Sequence, residues 1–539
     1  MHSGHSLSDG MGDGWDDEAD LVVVGFGAAG ACAAIEAAAA GADVLVLDRF
    51  RGGGATALSG GIVYAGGGTD EQIDAGIEDT ADAMFDYLRF ETRGAVSDET
   101  LRRFCRTSPA QIAWLKECGV PFDGSLCTFK TSYPPDGRYL YYSGNELARR
   151  DQATPSPRGH RVVGKGGTGR ILHEHLATTA QRLGVRMRSE TTAVDLIRAG
   201  GRVAGVECRA LTPRTARVHR LLGRHHGKLT SYAPAAAKLV TTPIQVIEQT
   251  AGRPWRVRAR HGVVLASGGF VHNPAMLRLH APAYVPGRPL GTIADDGSAI
   301  ALGRRLGAEV SHLDRVSAWR FVMPPTALGR GVLVDARGVR VCDETLYGST
   351  VAEAIVERHR GNAYLLVDKE ILSQAKRELA EQTVLFQRVQ AHYLFTVGRR
   401  GNTITDVAVK AGIDPARLRQ TIDEYNFAAR NGLPDAEGKT PDYVRPVEHG
   451  PFYVFDFSLR NSPLFPCTMI TLGGLVVEET TGLVLSQRGG VIDGLYAAGR
   501  AAVGMCSNSY VSGLSLADCV FSGRRAGRHA VSSIRKHRR

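Results

Sequence analysis

The chain has 539 residues, which is too long for one ordinary hydrophobic core and predicts two domains. Hydrophobic residues make up 43% of the chain and charged residues 22%, close to the usual values for globular proteins, so we expect a folded, soluble protein. The net charge of +10 comes from basic residues spread along the chain, and this spread argues against nucleic-acid binding.

The sequence offers no targeting or membrane signal. No window holds eighteen uncharged apolar residues, which predicts no membrane span, and the start of the chain lacks the basic and apolar regions of a secretory signal. Residues 1–18 are polar and rich in glycine and aspartate, which predicts a disordered tail. The nine cysteines are scattered without a CxxC pair, so we predict no disulfide framework, no metal site and a cytoplasmic location.

Residues 21–48 are the most informative segment, because a strand, a glycine turn, a helix and a second strand follow one another there. Gly25, Gly27 and Gly30 form a GxGxxG pattern, which predicts a tight turn, close approach of the backbone to a pyrophosphate, and close helix–strand packing. Asp48 ends the second strand, where a carboxylate can accept hydrogen bonds from a ribose. We interpret the segment as a dinucleotide site; a tight turn in a ligand-free domain is the alternative.

Further segments are taken in chain order. Residues 52–69 form a glycine-rich loop, which favours main chain lying flat against a ligand. The tyrosine-rich residues 131–145 are either a hairpin or the wall of a substrate pocket. Residues 211–255 are basic, irregular and proline-containing, which favours an inserted loop. Residues 263–270 read as a buried strand followed by a Gly-Gly turn.

The pattern of helices and strands changes between residues 276 and 445, and this part reads as an inserted α+β cap that would hold the substrate. A strand and glycine pattern like that of the first part returns near residue 475. We therefore predict an α/β fold class, with a discontinuous Rossmann-like nucleotide-binding domain at 19–275 and 446–539. The active site is expected where this domain meets the cap.

Several separated motifs resemble those of the flavoprotein family of 3-ketosteroid dehydrogenases and soluble fumarate reductases. Besides the fingerprint with Asp48, they are GGATALSGG, VLASGGF, ADDG, VDARGVRVCDE, TLGGL, GLYAAGR and YVSGLSLA. The likeness runs from residue 20 to about 530 and implies FAD as cofactor. The respiratory members attach flavin covalently to a histidine, which residues 52–61 lack, so the resemblance implies non-covalent FAD. The residues that it implies as FAD contacts are Gly25, Gly27, Ala28, Ala29, Gly30, Asp48, Arg49, Gly54, Ala55, Thr56, Ser59, Gly60, Gly61, Ala266, Ser267, Gly268, Asp296, Gly499, Arg500, Ser515 and Leu516.

The YVSG sequence at 510–513 is similar to the site of 3-ketosteroid Δ4-(5α)-dehydrogenases. The resemblance implies that Tyr510 handles a proton and that Ser512 assists it, with Tyr347 of the cap as a second candidate. We expect a neighbouring donor such as Ser512 to lower the pKa of Tyr510. Each tyrosine could instead be a packing residue whose hydroxyl forms a hydrogen bond with a nearby protein group.

The resemblance implies an FAD-dependent oxidoreductase that acts on a CH–CH bond beside a ketone, in a 3-ketosteroid or similar apolar ketone. Only one dinucleotide fingerprint is present, so we expect an external electron acceptor rather than a built-in NAD(P) site. One alternative is a fumarate reductase-like alkene reductase, for which His312, Arg320 and Arg340 are the available cations. Another is a flavin-binding redox protein without turnover.

Overall fold

A computed structural model describes residues 14–232, 234–460, 462 and 464–532. Most of the predicted N-terminal tail, residues 1–13, lies outside this range. The end of that prediction is wrong, because Asp17 and Glu18 already belong to the first strand and pair with residues 257 and 258.

The strands of the described residues are β1 (Asp17–Val24), β2 (Val44–Leu47), β3 (Ile62–Tyr64), β4 (Leu140–Tyr141), β5 (Gly159–Arg161), β6 (Arg186–Arg188), β7 (Thr191–Ala199), β8 (Arg202–Leu211), β9 (Gly252–Leu265), β10 (Arg288–Pro289), β11 (Val310–Ser311), β12 (Val316–Ala318), β13 (Val332–Val334), β14 (Tyr364–Val367), β15 (Arg399–Gly401), β16 (Phe452–Asp456), β17 (Thr468–Thr471), β18 (Gly474–Leu475), β19 (Leu483–Leu485) and β20 (Val491–Ala497).

The α-helices are α1 (Ala28–Ala39), α2 (Gly54–Leu58), α3 (Asp70–Asp74), α4 (Ala81–Thr92), α5 (Asp98–Glu117), α6 (Gly169–Arg182), α7 (Pro213–Tyr232), α8 (Pro234–Ala251), α9 (Pro274–His280), α10 (Ser298–Arg305), α11 (Gly348–Glu353), α12 (Lys369–Gln382), α13 (Leu385–Val397), α14 (Ile404–Ala411), α15 (Pro415–Arg430) and α16 (Leu514–Ala530). Short 3₁₀ turns cover Pro282–Tyr284, Thr326–Arg330, Pro441–Tyr443 and Gly499–Ala501, and a π-helical turn at Ala354–Arg358 extends α11.

The main sheet has eight strands in the order β19-β20-β9-β1-β2-β6, with β8 joined to β9 and β7 to β8. Strands β20, β9, β1, β2 and β6 run parallel, as expected for a Rossmann-like domain. The apolar run at 21–24 is buried because both faces of the sheet are covered. Helices α1 and α16 pack together on one of these faces, so the two ends of the chain meet beside β1.

The prediction of an irregular loop at 211–255 is wrong. Most of this segment is the two helices α7 and α8, which we call the helical hairpin, and they connect the antiparallel strands β8 and β9. Pro213 and Pro234 misled the prediction, since each is the first residue of its helix, where the missing N–H of proline costs no hydrogen bond.

A second, antiparallel sheet has the order β13-β14-β16-β15 and packs with α12, α14 and α15 around a separate hydrophobic core. Strand β16 is an inner strand of this sheet and therefore belongs to the cap. The predicted end of the cap at residue 445 is wrong, because β16 lies beyond it. The smaller sheet β10-β17-β12 joins strands from both sides of that limit. No helix in the described parts of the chain is long and apolar enough to cross a membrane.

The tyrosine-rich segment 131–145 does not form a hairpin within itself. It contributes only β4, which pairs with β5 in the small sheet β3-β5-β4. Tyr133 and Tyr141 are buried against Ile62 and Cys127, so this segment is a wall beside the loop that precedes β3.

Candidate functional site

A cavity of about 570 Å³ runs along the glycine turn after β1 and the loop after β2. It reaches the turn after β9 and the segment that follows β20. Most of the predicted cofactor residues line it. They are Gly25, Gly27, Ala28, Ala29, Asp48, Arg49, Gly54, Ala55, Thr56, Ala266, Ser267, Gly268, Asp296, Gly499 and Arg500.

The backbone turn between β1 and α1, which lines the cavity, depends on two glycines. Gly25 has φ +98°, and a Cβ there would lie 2.7 Å from the Ala266 carbonyl oxygen. A Cβ on Gly30 would lie 1.9 Å from the Gly25 oxygen, so only glycine permits this approach of α1 to the turn after β1. Helix α1 begins at Ala28 without a side-chain cap and faces the cavity, which leaves its terminus suited to an anion.

Asp48 organises the backbone around the cavity. Its Oδ2 accepts a hydrogen bond from the Phe26 N–H (2.9 Å), and its Oδ1 accepts from the N–H groups of Phe50 (2.8 Å) and Gly52 (3.0 Å). A carboxylate oxygen can accept two hydrogen bonds, so Oδ2 can still accept one from a ribose. The predicted contact of Asp48 with the ribose stays a prediction.

Arg500 gives a direct sign of a missing ligand. Its Nη2 donates to Asp295 Oδ1 at 2.7 Å, whereas the buried Nη1 has no hydrogen-bond partner among the described residues. Leaving a buried guanidinium donor unsatisfied is costly, so the site fits a ligand that presents an anionic or carbonyl oxygen there. The sequence prediction missed Asp295, which also lines the cavity; its neighbour Asp296 was chosen instead.

Arg49 connects the cavity to the helical hairpin. Its guanidinium makes two hydrogen bonds to Glu248 of α8, at 2.6 and 2.7 Å, and one to Asp296 at 2.9 Å. Gln245 and Gln249 of α8 also line the cavity. Sequence reasoning missed all three hairpin residues, because a segment read as an irregular loop gave no reason to place them beside a dinucleotide.

Other predicted cofactor residues do not line this cavity. Gly60 and Gly61 pack against Tyr133 and Thr168, and the Gly60 oxygen accepts hydrogen bonds from both hydroxyls. Ser59 donates to the Thr56 oxygen, while Ser515 and Leu516 lie in the first turn of α16. Their contact with a flavin ring remains a prediction.

Tyr347 and Tyr510 lie side by side in an aromatic cluster, with ring centroids 6.4 Å apart. Trp319 packs edge-on against Tyr510 at 5.5 Å, and Phe321 packs against Tyr347 at 5.3 Å. Tyr347 is buried, whereas Tyr510 is partly exposed and borders a small cleft. The structure therefore brings the two predicted catalytic tyrosines together.

Ser512 lies beside the same cluster. Its Oγ accepts a hydrogen bond from the Tyr141 hydroxyl at 3.0 Å, which leaves the serine proton free to be donated onward. Burial raises the pKa of Tyr347 well above its ordinary value, and a hydrogen bond from Ser512 partly opposes this rise. The tyrosine-rich segment thus contacts Ser512 through Tyr141, and its role as the wall of a substrate pocket stays a prediction.

The expected lowering of the pKa of Tyr510 is wrong. Desolvation by the surrounding protein raises the pKa of its phenol, and the Gly513 N–H and the Arg500 guanidinium only partly oppose the rise. Arg500 also lines the dinucleotide cavity, as does Cys519, which raises the pKa of Tyr510 slightly. Tyr510 therefore lies near two residues, Arg500 and Cys519, that line the cavity.

Main-chain contacts fix the positions of the two tyrosines. Asn145 Oδ1 accepts from the Tyr347 N–H at 2.6 Å, and its Nδ2 donates to Thr350 at 3.0 Å. The Ser349 hydroxyl donates to the Tyr510 carbonyl oxygen at 2.5 Å. These contacts join the cap segment 347–350 to Asn145 and Tyr510 of the Rossmann-like part. No sequence pattern could have indicated them.

Two of the three cations that could hold a dicarboxylate are occupied by other partners, and the third lies elsewhere. Arg320 is buried and donates to the carbonyl oxygens of Phe457, Ser458 and Phe465. Arg340 pairs with Glu344 at 3.1 Å and with Asp435 at 3.0 Å. His312 lines a different cavity, with Asp518 and Arg525.

The fold and the site together define a dinucleotide-binding protein of the Rossmann class, in which a pair of tyrosines lies near residues that line the cofactor cavity. A family model described as an FAD binding domain matches residues 20–516, and the chain belongs to this family. FAD is therefore the dinucleotide that the cavity holds.

Two relatives cover nearly the whole chain. A 3-oxo-5-alpha-steroid 4-dehydrogenase of Comamonas testosteroni is 37% identical over 90% of this chain and 93% of its own length. The crystal structure of the 3-ketosteroid-Δ4-(5α)-dehydrogenase of Rhodococcus jostii RHA1, in complex with 4-androstene-3,17-dione, is 32% identical. It has a TM-score of 0.80 and covers 96% of this chain and 97% of that one.

A probable fumarate reductase of Shewanella frigidimarina is 24% identical over 96% of this chain and 78% of its own length. The resemblance to the combined family of ketosteroid dehydrogenases and fumarate reductases is confirmed. The sequence identity to the steroid dehydrogenase, 37%, is higher than that to the fumarate reductase, 24%.

Proposed function

We propose that the chain is an FAD-dependent dehydrogenase that oxidises a CH–CH bond beside the ketone of a 3-ketosteroid or a similar alicyclic ketone. The observation that carries this proposal is that Tyr510, Tyr347 and Ser512 lie together, near Arg500 and Cys519 of the dinucleotide cavity. The names of the two relatives above 30% identity support the same chemistry.

The reaction removes a proton from the carbon next to the ketone and a hydride from the following carbon. FAD, when bound, accepts a hydride at N5. The protein must accept the proton, and Tyr510 is the predicted catalytic tyrosine that lines a small cleft. The aromatic and neutral surroundings formed by Trp319, Phe321 and Tyr347 suit an apolar ring system better than a charged substrate.

The raised pKa of Tyr510 gives the other hydroxyls a role. A neutral phenol cannot hold a second proton, so Tyr510, which is partly exposed, must release its own hydroxyl proton to water before it accepts one from the substrate. Hydrogen-bond donors near its oxygen would stabilise the phenolate and favour this release. Tyr141 donates to Ser512, Ser512 in turn partly lowers the pKa of Tyr347, and the Tyr347 ring lies 6.4 Å from that of Tyr510. We infer that these neighbouring hydroxyls stabilise the Tyr510 phenolate.

The reverse reaction, reduction of an alkene, is the second candidate. A neutral Tyr510 is well suited to donate a proton, and one site can serve both directions. The occupied Arg320 and Arg340 make fumarate a poor fit, so the alkene in this case is an uncharged enone.

Replacing Tyr510 by Phe tests the proposal. Turnover of a saturated 3-ketosteroid should fall about 10²–10⁴-fold, because a general acid–base group contributes about that much. FAD content should not change, since the hydroxyl lies outside the cavity. The matched control is Tyr364→Phe in the cap strand β14, which should leave both unchanged.

Anaerobic spectra separate the candidates. A saturated 3-ketosteroid should bleach the bound flavin if the proposal holds, and fumarate should re-oxidise reduced enzyme if the dicarboxylate alternative holds. Full activity of Tyr510→Phe, or a flavin that no steroid reduces, would contradict the proposal.

We also propose an external electron acceptor and a cytoplasmic location. A single dinucleotide fingerprint leaves the reduced flavin to pass its electrons to a separate molecule. All nine cysteines are free thiols and eight are buried, which suits a reducing compartment.

A further inference from the structure

The helical hairpin inserted between β8 and β9 contributes directly to the cofactor cavity. Gln245, Glu248 and Gln249 occupy positions i, i+3 and i+4 of α8, so they share one face of the helix, and all three line the cavity. Opposite them, the cavity is lined by residues 191–194 of β7 and by Cys208 of β8. The hairpin therefore closes one side of a space that the β-strands alone would leave open.

The position of α8 along the cavity identifies the part of FAD that this helix faces. The pyrophosphate belongs at the Gly25–Gly30 turn, and the ribose beside Asp48. The end of the cavity formed by Arg500 and Cys519 adjoins Tyr510, so the flavin belongs there. The opposite end, beyond Asp48, is the end that α8 covers, and it is left for the adenine.

A network of buried charges fixes the hairpin to the loop that follows Asp48. Arg49 bonds both oxygens of Glu248, and only 14% and 11% of these two side chains are exposed. His219 of α7 is fully buried between Glu248, at 2.9 Å, and Glu190. The His219 ring stacks on Phe50 with centroids 4.8 Å apart. These contacts join both helices to the segment that holds the ribose side of the site.

We propose that the helical hairpin forms the adenosine subsite of FAD, in which the Gln245 and Gln249 carboxamides recognise adenine and the Arg49–Glu248 pair holds α8 in place. A carboxamide offers one donor and one acceptor group, which match the N6 amino group and a ring nitrogen of adenine. Glu248 acts as a positioning residue, because Arg49 and His219 already bond both of its oxygens.

The experiment compares FAD with FMN, which lacks the adenosine. Holoenzyme is incubated with excess FMN, and the flavin that remains bound is identified after gel filtration. The double variant Gln245→Ala/Gln249→Ala should lower the preference for FAD over FMN by roughly 10-fold, the effect of about two lost hydrogen bonds. The control Val246→Ala, on an exposed position of the same helix that does not line the cavity, should behave as the wild type.

A second variant tests whether the Arg49–Glu248 pair holds α8 in place. Glu248→Gln keeps the shape of the side chain but weakens both bonds to Arg49, so FAD should leave diluted holoenzyme several-fold faster, as followed by the recovery of free-flavin fluorescence. An unchanged release rate would overturn the anchoring role. An unchanged FAD-to-FMN preference in the double variant, or an equal loss of both flavins, would overturn the adenosine subsite. Neither measurement uses a steroid, so they are independent of the proposed function.

Discussion

Arg158 and Asp79 form an ion pair that protein encloses almost completely, with 0% and 1% of their side chains exposed. Two guanidinium nitrogens bond the two carboxylate oxygens at 2.7 and 2.9 Å. The Gly67 N–H and the Gln72 amide add two further hydrogen bonds to Asp79. Burial by itself raises the pKa of Asp79, but these donors outweigh it and leave the pKa below its ordinary value.

Replacing Asp79 by Asn should therefore destabilise the protein strongly. Removing one partner of a buried pair leaves the other charge without compensation, which costs about 3–5 kcal/mol. Urea unfolding of the holoenzyme measures this loss. The matched change Glu174→Gln, in an exposed pair with Arg170, should alter the free energy of unfolding by no more than about 0.5 kcal/mol. Equal effects of the two changes would contradict the argument.

Tyr510 shows what residue type and spacing can and cannot predict. The YVSG motif indicated the residue, and the structure places it beside Tyr347 at the end of the cofactor cavity. The pKa was predicted in the wrong direction, because it depends on how far the protein excludes water from the phenol. Tyr141, which donates to Ser512, could not be assigned from its own sequence segment.

At the scale of secondary-structure elements, the helical hairpin contains one side chain, His219, whose charge should make the packing of the hairpin depend on pH. Burial lowers the pKa of His219, but the hydrogen bonds that Glu190 and Glu248 accept from its ring outweigh burial and raise the pKa above its ordinary value. Arg220 lies 3.4 Å from Glu190, and Arg49 lies on the other side of Glu248. The two carboxylates thus favour the imidazolium, and the two arginines moderate the excess negative charge.

The sign of the effect follows from the raised pKa. The stability that protonated His219 contributes is fully present below its unfolded pKa of about 6.5, and it is lost as the pH rises through the higher folded value. Amide hydrogen exchange of α8 in the holoenzyme should therefore accelerate as the pH rises through that range, beyond the intrinsic increase in exchange rate. His219→Gln should remove this dependence, whereas His392→Gln, at an exposed position of α13, should retain it. A wild-type α8 that follows only the intrinsic rate would contradict the prediction.

At the scale of the whole molecule, FAD should hold distant parts of the chain together. The cavity is lined by residues from Val24 to Cys519, contributed by strands at both ends of the sequence and by the hairpin. The cap sheet β13-β14-β16-β15 has its own hydrophobic core, whereas residues 299–308, which the sequence assigned to the cap, pack in a core of the main sheet. The ligand should therefore stabilise the Rossmann-like part above all.

FAD at 100 times its dissociation constant should add about 2.7 kcal/mol to the stability of the folded protein. Thermal unfolding of the protein, followed with increasing free FAD, should show a midpoint that rises with ligand concentration. FMN at the same multiple of its own dissociation constant should give the same gain, but it should require a higher concentration, because it lacks the adenosine contacts. A midpoint insensitive to FAD would contradict the assignment of the cavity.

The sequence by itself determined the Rossmann-like unit, the FAD family and many of the residues that line the cavity. It did so because the strand, the glycine turn, the helix and Asp48 are contiguous, and because glycines such as Gly30, with its 1.9 Å approach, meet a local steric requirement. The sequence missed strand β16 of the cap because this strand pairs with strands far away in the chain. It missed the two helices of the hairpin because prolines at their first positions resembled loop residues.

Only the tertiary structure decided which side chains share a space. It joined Glu248 to Arg49, gave one buried nitrogen of Arg500 no partner among the residues that the structure describes, and placed Tyr347 beside Tyr510, with Tyr141 bonded to Ser512. It also showed that Arg320 and Arg340 are already occupied. The physical reason is that hydrogen bonding and desolvation act over a few ångströms in space, and distances along the sequence do not report them.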